Sequence, residues 1–194
     1  MQADFAVELG ADDETLEVPW AAEGGGPRYY DLKRHPELLL NVEEASRVPE
    51  LGEFLSQANL PASSLESAKC DSWLATGMNP EEEIFGATLK FGSYVDLLFS
   101  DEQKRFSFPE HEHLAKRLTQ LLQRGPEIAA AAEFLIRRCY YHEQEEIRGQ
   151  KEIRDGFYIT FYLFGYGKDE VRSRQNWAIG LKLIGNAIRQ LSAE

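Results

Sequence analysis

The chain contains 194 residues, of which 43% are apolar, and its 33 acidic against 21 basic side chains give a net charge of -12. This length and apolar content suffice for one globular domain with its own core. The acidic balance argues against nucleic-acid and anionic-membrane partners, because both attract basic protein surfaces.

Neither a membrane segment nor a signal peptide is evident in the sequence. No apolar run reaches the roughly 18 residues of a membrane-spanning helix, and MQADFAVELG lacks the basic and apolar regions of a signal peptide. Cys70 and Cys139 are far apart and form no CxxC pair, unlike the cysteine frameworks of small secreted domains. We therefore expect a soluble cytoplasmic protein with free thiols.

Residues 1–60 form an acidic N-terminal region with thirteen acidic and four basic side chains. Apolar and polar residues alternate over residues 5–9 and 16–20, on either side of the turn-forming ADDE, which predicts a β-hairpin. The following AAEGGGPRYY predicts a loop. Pro36 and Pro49 predict the first turns of two short helices. We expect the hairpin and both helices to pack on the rest of the chain.

Residues 61–194 are predicted to form the core from two strand-strand-helix units. The predicted strands cover residues 66–78, 84–99, 130–141 and 156–167, and the predicted helices cover residues 109–123 and 168–191. Residues 92–99 match residues 156–163 in hydrophobic pattern, with Gly92 aligned to Gly156, which indicates an internal repeat. Chance similarity between two amphipathic hairpins is the alternative explanation.

The element pattern predicts an α+β fold. The tandem repeat is expected to form an antiparallel sheet with its helices packed on one face. The N-terminal hairpin and the two short helices are expected to pack on this core, so that residues 1–60 and 61–194 together make one structural domain.

The segment GFYITFYLFGYG, residues 156–167, is apolar on both faces of its predicted strand. Because side chains alternate along a strand, one face carries Phe157, Ile159, Phe161 and Leu163, and the other carries Tyr158, Thr160, Tyr162 and Phe164. The second of these faces needs a cover, which could be the N-terminal region, a second copy of the chain, or a ligand or foreign protein. We predict a partner or ligand surface formed by Tyr158, Tyr162, Phe164 and Trp177.

A polar pocket between the sheet and the last helix is the alternative site, with Asp71, Arg138 and His142 as its polar groups. Arg137 and Arg138 are neighbours on a predicted strand, so one of them should point inward and pair with Asp71 or Asp96. Such a pair could bind an anionic small molecule or be purely structural.

The remaining candidates are His111 and His113, which could be metal ligands. Two residues that are two apart on a helix point about 200° away from each other, which favours an ordinary solvated helix start instead. The sequence contains no nucleophile elbow, P-loop, dinucleotide fingerprint, zinc-finger spacing or calcium loop. We therefore predict no metal and no cofactor.

The predicted order helix, strand, strand, helix, strand, strand, helix over residues 49–191, in an acidic chain, resembles small bacterial secretion chaperones. That resemblance implies a dimer that holds unfolded segments of a client protein. Our primary prediction is a non-catalytic, chaperone-like or adaptor-like protein-interaction module that acts as a homodimer. The alternative is an enzyme or small-molecule-binding protein that uses the predicted pocket.

Overall fold

The computed structural model describes residues 1–22, 26–78, 86–142 and 153–193. Six strands, five α-helices and one 3-10 helix (Pro36–Asn41) occur in these ranges. The strands are β1 (Gln2–Glu8), β2 (Thr15–Val18), β3 (Leu65–Ala75), β4 (Leu89–Phe99), β5 (Ala130–His142) and β6 (Ile153–Gly167). The α-helices are α1 (Glu43–Arg47), α2 (Pro49–Ala58), α3 (Glu102–Arg105), α4 (Phe108–Gln123) and α5 (Glu170–Ser192).

All six strands belong to one mixed sheet in the order β1-β5-β6-β4-β3, with β2 also paired to β5. The pairs β3–β4, β4–β6 and β5–β6 are antiparallel. This arrangement confirms the predicted α+β class. The two central strands, β4 and β6, are each the second strand of a hairpin. Whether the two hairpin-plus-helix halves share an origin stays a prediction.

The predicted N-terminal hairpin is corrected by the strand pairing. β1 and β2 each run parallel to β5, with β1 beside residues 131–137 and β2 beside residues 138–141. β5 is thirteen residues long, so one of its edges accommodates both short strands in succession. Alternating apolar residues indicate a strand but not its partner, which is why the local pattern suggested a hairpin.

One face of the sheet, the core face, is covered by helices. It carries large apolar side chains that are almost fully buried: Phe91, Val95, Leu97, Phe134, Ile136, Ile159, Phe161 and Leu163. The helices α2, α4 and α5 supply the opposing side of this core. The Phe54 ring of α2 meets the Phe161 ring edge-on, with 5.4 Å between centroids. The main hydrophobic core therefore lies between the core face and these three helices.

The α5 helix packs directly against β6. A Cβ atom added at Gly165 would overlap backbone atoms of Ser173 and Trp177. The Trp177 side chain is fully buried, and its Nε1–H donates to Ser93 Oγ at 2.8 Å. The helices of the described ranges are all too short or too polar to cross a membrane.

Candidate functional site

The second face of the sheet, opposite the core face, is covered at one end by the N-terminal region. Leu16 and Val18 of β2, together with Trp20 and Tyr29, pack there on a small apolar cluster that includes Leu98, Cys139, Tyr141 and Tyr158. Trp20 Nε1–H donates to the Ala68 carbonyl oxygen at 2.9 Å and fixes this cover to β3. The N-terminal region therefore covers one end of the second face. It is one of the three covers that were expected from the sequence.

The other end of the second face exposes a contiguous group of four rings, which we call the aromatic patch: Trp73, Tyr94, Tyr162 and Phe164. All four side chains are half-buried. Ring centroids lie 6.4 Å apart for Trp73 and Tyr94, 6.1 Å for Trp73 and Phe164, and 5.9 Å for Tyr94 and Tyr162. Tyr162 and Phe164 are stacked at 6.4 Å. The patch thus spans three adjacent strands, β3, β4 and β6.

A glycine at the centre of the patch allows its rings to meet. Gly92 of β4 lies between Trp73 and Phe164 in the strand register. A Cβ atom at this position would be 2.9 Å from the Trp73 ring and 3.0 Å from the Phe164 ring. Two cations border the same rings, with Lys90 Nζ 5.1 Å from the Phe164 centroid and the Arg137 guanidinium 5.8 Å from the Tyr162 centroid. The absence of a side chain at Gly92 therefore lets rings from β3 and β6 cover β4.

A buried polar strip separates the aromatic patch from the covered end. Thr160 Oγ1 donates to Asp96 Oδ1 at 2.6 Å, and Arg137 Nη1 lies 3.4 Å from the same Thr160 oxygen. The Arg137 guanidinium also donates to Glu8 Oε2 at 2.7 Å and to Glu14 Oε2 at 3.0 Å. Arg137 therefore connects the N-terminal carboxylates to the centre of the sheet.

Burial controls the electrostatics of this strip. The Asp96 side chain is 2% exposed. Burial raises the pKa of Asp96 to about 7, although the hydrogen bond from Thr160 acts in the opposite direction. Nearby, burial also raises the pKa of Tyr158. The strip consequently favours a neutral Asp96 below about pH 7.

The four residues predicted to form a partner surface separate into two groups. Tyr162 and Phe164 belong to the aromatic patch, on the accessible end of the second face. Tyr158 is fully buried under the N-terminal cover, and Trp177 is fully buried in the main core. Neither buried ring can contact a partner of the folded chain.

The three residues of the predicted polar pocket do not come together. Asp71 on β3 binds Arg47 Nη2 at 3.0 Å. Arg138 lies on β5, three strands away, and faces the opposite side of the sheet. His142 at the end of β5 contacts Glu17 Oε2 at 3.2 Å. The inward arginine of the adjacent pair is Arg137, since it is opposite Tyr158 on β6.

The two candidate metal-ligand histidines lie on different sides of α4. His111 is 1% exposed, and its Nδ1 is 2.8 Å from the Ser107 carbonyl oxygen. Its ring meets the Phe99 ring edge-on at 4.8 Å, and burial lowers its pKa. His113 is exposed. No group of three or more His, Cys, Asp and Glu side chains in the described ranges is placed to hold a metal ion.

Trp73 and Tyr94 were absent from the predicted surface although they form half of the patch. The sequence contained one usable signal for Tyr94. The alternation along the strand assigns Tyr94 to the same face as Asp96 and Leu98, which is the second face. Trp73 joins the patch through the β3–β4 register, in which it pairs with Gly92. A register of this kind follows from the hairpin as a whole and not from the residues around Trp73.

Comparison of the chain with known proteins identifies no similar protein. No family model matches the chain, and neither the curated proteins nor the solved structures contain a match.

Proposed function

We propose that this protein is a non-catalytic interaction module that forms a homodimer through the aromatic patch. The observation that carries the proposal is the contiguity of Trp73, Tyr94, Tyr162 and Phe164 on the end of the second face that the N-terminal region leaves uncovered. Large half-buried rings with hydroxyl groups, bordered by an Arg side chain, have the composition of protein contact surfaces.

The difference between the covered end and the uncovered end of the second face supports this proposal. At the covered end, Trp20 and Tyr29 of the same chain exclude water from the sheet. At the patch, rings of similar size contact one another and the bordering cations, and each of the four stays half-buried. A second patch placed on the first would remove this apolar area from water, which is favourable in proportion to the area buried.

The polar groups of the second face favour binding over catalysis. Arg137 is occupied by Glu8, Glu14 and Thr160, and the Asp96 carboxyl group is enclosed. A substrate could reach these groups only after the strip had been disrupted. Both cysteines are free thiols, which agrees with the cytoplasmic location that forms part of this proposal.

Self-association through one patch has a simple symmetry. A two-fold dimer uses the same surface on both copies, so a single self-complementary patch is sufficient. Two antiparallel sheets packed face to face lie about 10 Å apart, a separation that interdigitating aromatic side chains fill. The resulting dimer has its core-face helices on the outside.

The proposal is tested by the molar mass in solution, measured by light scattering over about a hundredfold range of protein concentration. We expect the wild-type protein to approach twice the chain mass and Tyr162→Glu to stay at the chain mass, because the substitution places a charge in the patch. The control is Ile179→Glu, which changes a side chain that is 44% exposed on α5. A wild-type monomer at all concentrations, or a dimer unaffected by Tyr162→Glu, would refute the proposal.

A further inference from the structure

The buried polar strip directly borders the aromatic patch on two adjacent strands. Asp96 lies two residues from Tyr94 on β4, and Thr160 lies two residues from Tyr162 on β6, so all four side chains point to the second face. Arg137 reaches both regions, because its Nη1 is 3.4 Å from Thr160 Oγ1 and its guanidinium lies 5.8 Å from the Tyr162 ring centroid. A protein surface that covers the patch therefore also removes water from the adjoining edge of the strip.

The charges of the strip balance only when Asp96 is protonated. Arg137 forms ion pairs with Glu8 Oε2 at 2.7 Å and with Glu14 Oε2 at 3.0 Å. Lys69 is the register partner of Asp96 on β3. The two cations offset the two glutamates, so an ionised Asp96 leaves the strip with one net negative charge. Its side chain is 2% exposed, so water does little to screen that charge.

The other titratable groups that interact with Asp96 stay neutral around pH 7. They belong to β3, β4, β5 and β6, and they are Cys70, Tyr94, Cys139 and Tyr158. Burial raises the pKa of all four. Tyr162 and Asp71 also face this side of the sheet, and Asp71 is paired with Arg47 at 3.0 Å. Burial raises the pKa of Asp96 to about 7, so Asp96 changes its charge between pH 6 and pH 8, whereas the four neutral groups do not.

We propose that the aromatic-patch dimer takes up protons at Asp96 as it forms, so that self-association strengthens as the pH falls from 8 to 6. Two effects act in this direction. Covering the patch removes water that stabilises an ionised carboxylate, which disfavours the charged form. A two-fold dimer also brings both copies of the strip into one contact of low dielectric constant, where two negatively charged strips repel each other. This inference rests on the proposed function and adds the regulation of the same site.

The dissociation constant of the dimer at pH 6 and at pH 8 tests the inference. Sedimentation equilibrium of the full chain at constant ionic strength gives both values. Each dimer contains two copies of Asp96, so the effect of one copy on the dissociation constant is squared. We expect the Kd of the wild-type protein to be at least about fivefold larger at pH 8 than at pH 6.

Two variants test whether Asp96 is the responsible group. Asp96→Asn keeps the shape of the side chain but does not titrate, so the ratio of the two Kd values should fall to about one. The matched control is Glu133→Gln, which removes an exposed carboxylate from the same face, opposite Tyr162 in the β5–β6 register. This control should keep the wild-type ratio, and circular dichroism checks that both variants fold. A folded Asp96→Asn protein with the wild-type ratio would overturn the inference.

A measurement on the wild-type protein alone keeps the test independent of any variant. Dilution calorimetry at pH 7 in two buffers of different ionisation enthalpy gives the number of protons exchanged when the dimer dissociates. We expect dissociation to release protons, because the separated chains hold them less tightly. No exchange of protons, or uptake of protons on dissociation, would contradict the inference.

The failure of this inference is distinguishable from the failure of the proposed function. A protein that stays monomeric at both pH values would refute self-association through the patch and, with it, the regulation. A dimer that has the same Kd at pH 6 and pH 8 would refute the regulation alone.

Discussion

Thr160 and Asp96 are joined across the β4–β6 pair by a hydrogen bond of 2.6 Å at the centre of the sheet. Because burial raises the pKa of Asp96 to about 7, the folded chain retains a proton that the unfolded chain releases near pH 4. The stabilising contribution of this group is complete below about pH 4 and is lost as the pH rises through about 7. That loss is on the order of 4 kcal/mol.

Asp96→Asn should remove this part of the pH dependence, since an amide is neutral throughout. Relative to the wild-type protein, the variant should gain stability between about pH 5 and about pH 8. Urea unfolding of both proteins at several pH values measures the difference. Parallel stability curves would contradict the raised pKa of Asp96.

His111 should produce the opposite pH dependence. Burial lowers its pKa, so below about pH 6.5 the unfolded chain binds a proton that the folded chain does not. Its contribution to stability is therefore lost as the pH falls. His111→Phe preserves the edge-on contact with Phe99 but does not titrate. Its stability relative to the wild-type protein should increase from pH 7 to pH 5 in urea unfolding, and a decrease would contradict this assignment.

Gly165 should be intolerant of a side chain. An added Cβ would overlap the α5 backbone at Ser173 and Trp177, so the helix would have to move away from β6. We expect Gly165→Ala to destabilise the protein by about 3 kcal/mol in chemical denaturation. Gly77→Ala is the matched control, because nothing lies within 4 Å of the Cβ position there. Similar losses for the two variants would argue against direct packing of α5 on β6.

Trp20 should hold the N-terminal cover on β3 through one hydrogen bond. Trp20→Phe keeps an aromatic ring but removes the donor to the Ala68 carbonyl oxygen. We expect a loss of about 1 kcal/mol and faster amide hydrogen exchange in residues 67–71. Unchanged exchange in this segment would show that the ring alone holds the cover.

Much of the secondary structure could be predicted because its signals are local. The strands β3, β5 and β6 and the helices α4 and α5 begin and end within a few residues of the predicted bounds. The alternation in residues 156–164 also assigned Phe161 and Leu163 to the core face and Tyr162 to the second face. Periodicity is sufficient for these assignments because burial repeats every two residues in a strand.

The arrangement of the site could not be predicted in the same way. Arg137 binds Glu8 and Glu14, which are more than 120 positions away in the sequence. This contact depends on the parallel pairing of β1 with β5, for which the sequence offers no local signal. The fully buried Tyr158 has the same chemistry and strand parity as Tyr162, and only the path of the N-terminal region distinguishes them.

The most direct test of the account identifies which side chains become covered when two copies meet. Hydroxyl-radical footprinting at low and high protein concentration, read residue by residue by mass spectrometry, makes this measurement. We predict that labelling of Trp73, Tyr94, Tyr162 and Phe164 decreases at high concentration, while the exposed Ile179 on α5 is unaffected. Labelling of the four rings that does not change with concentration, or protection of Ile179 in their place, would contradict the proposed contact surface.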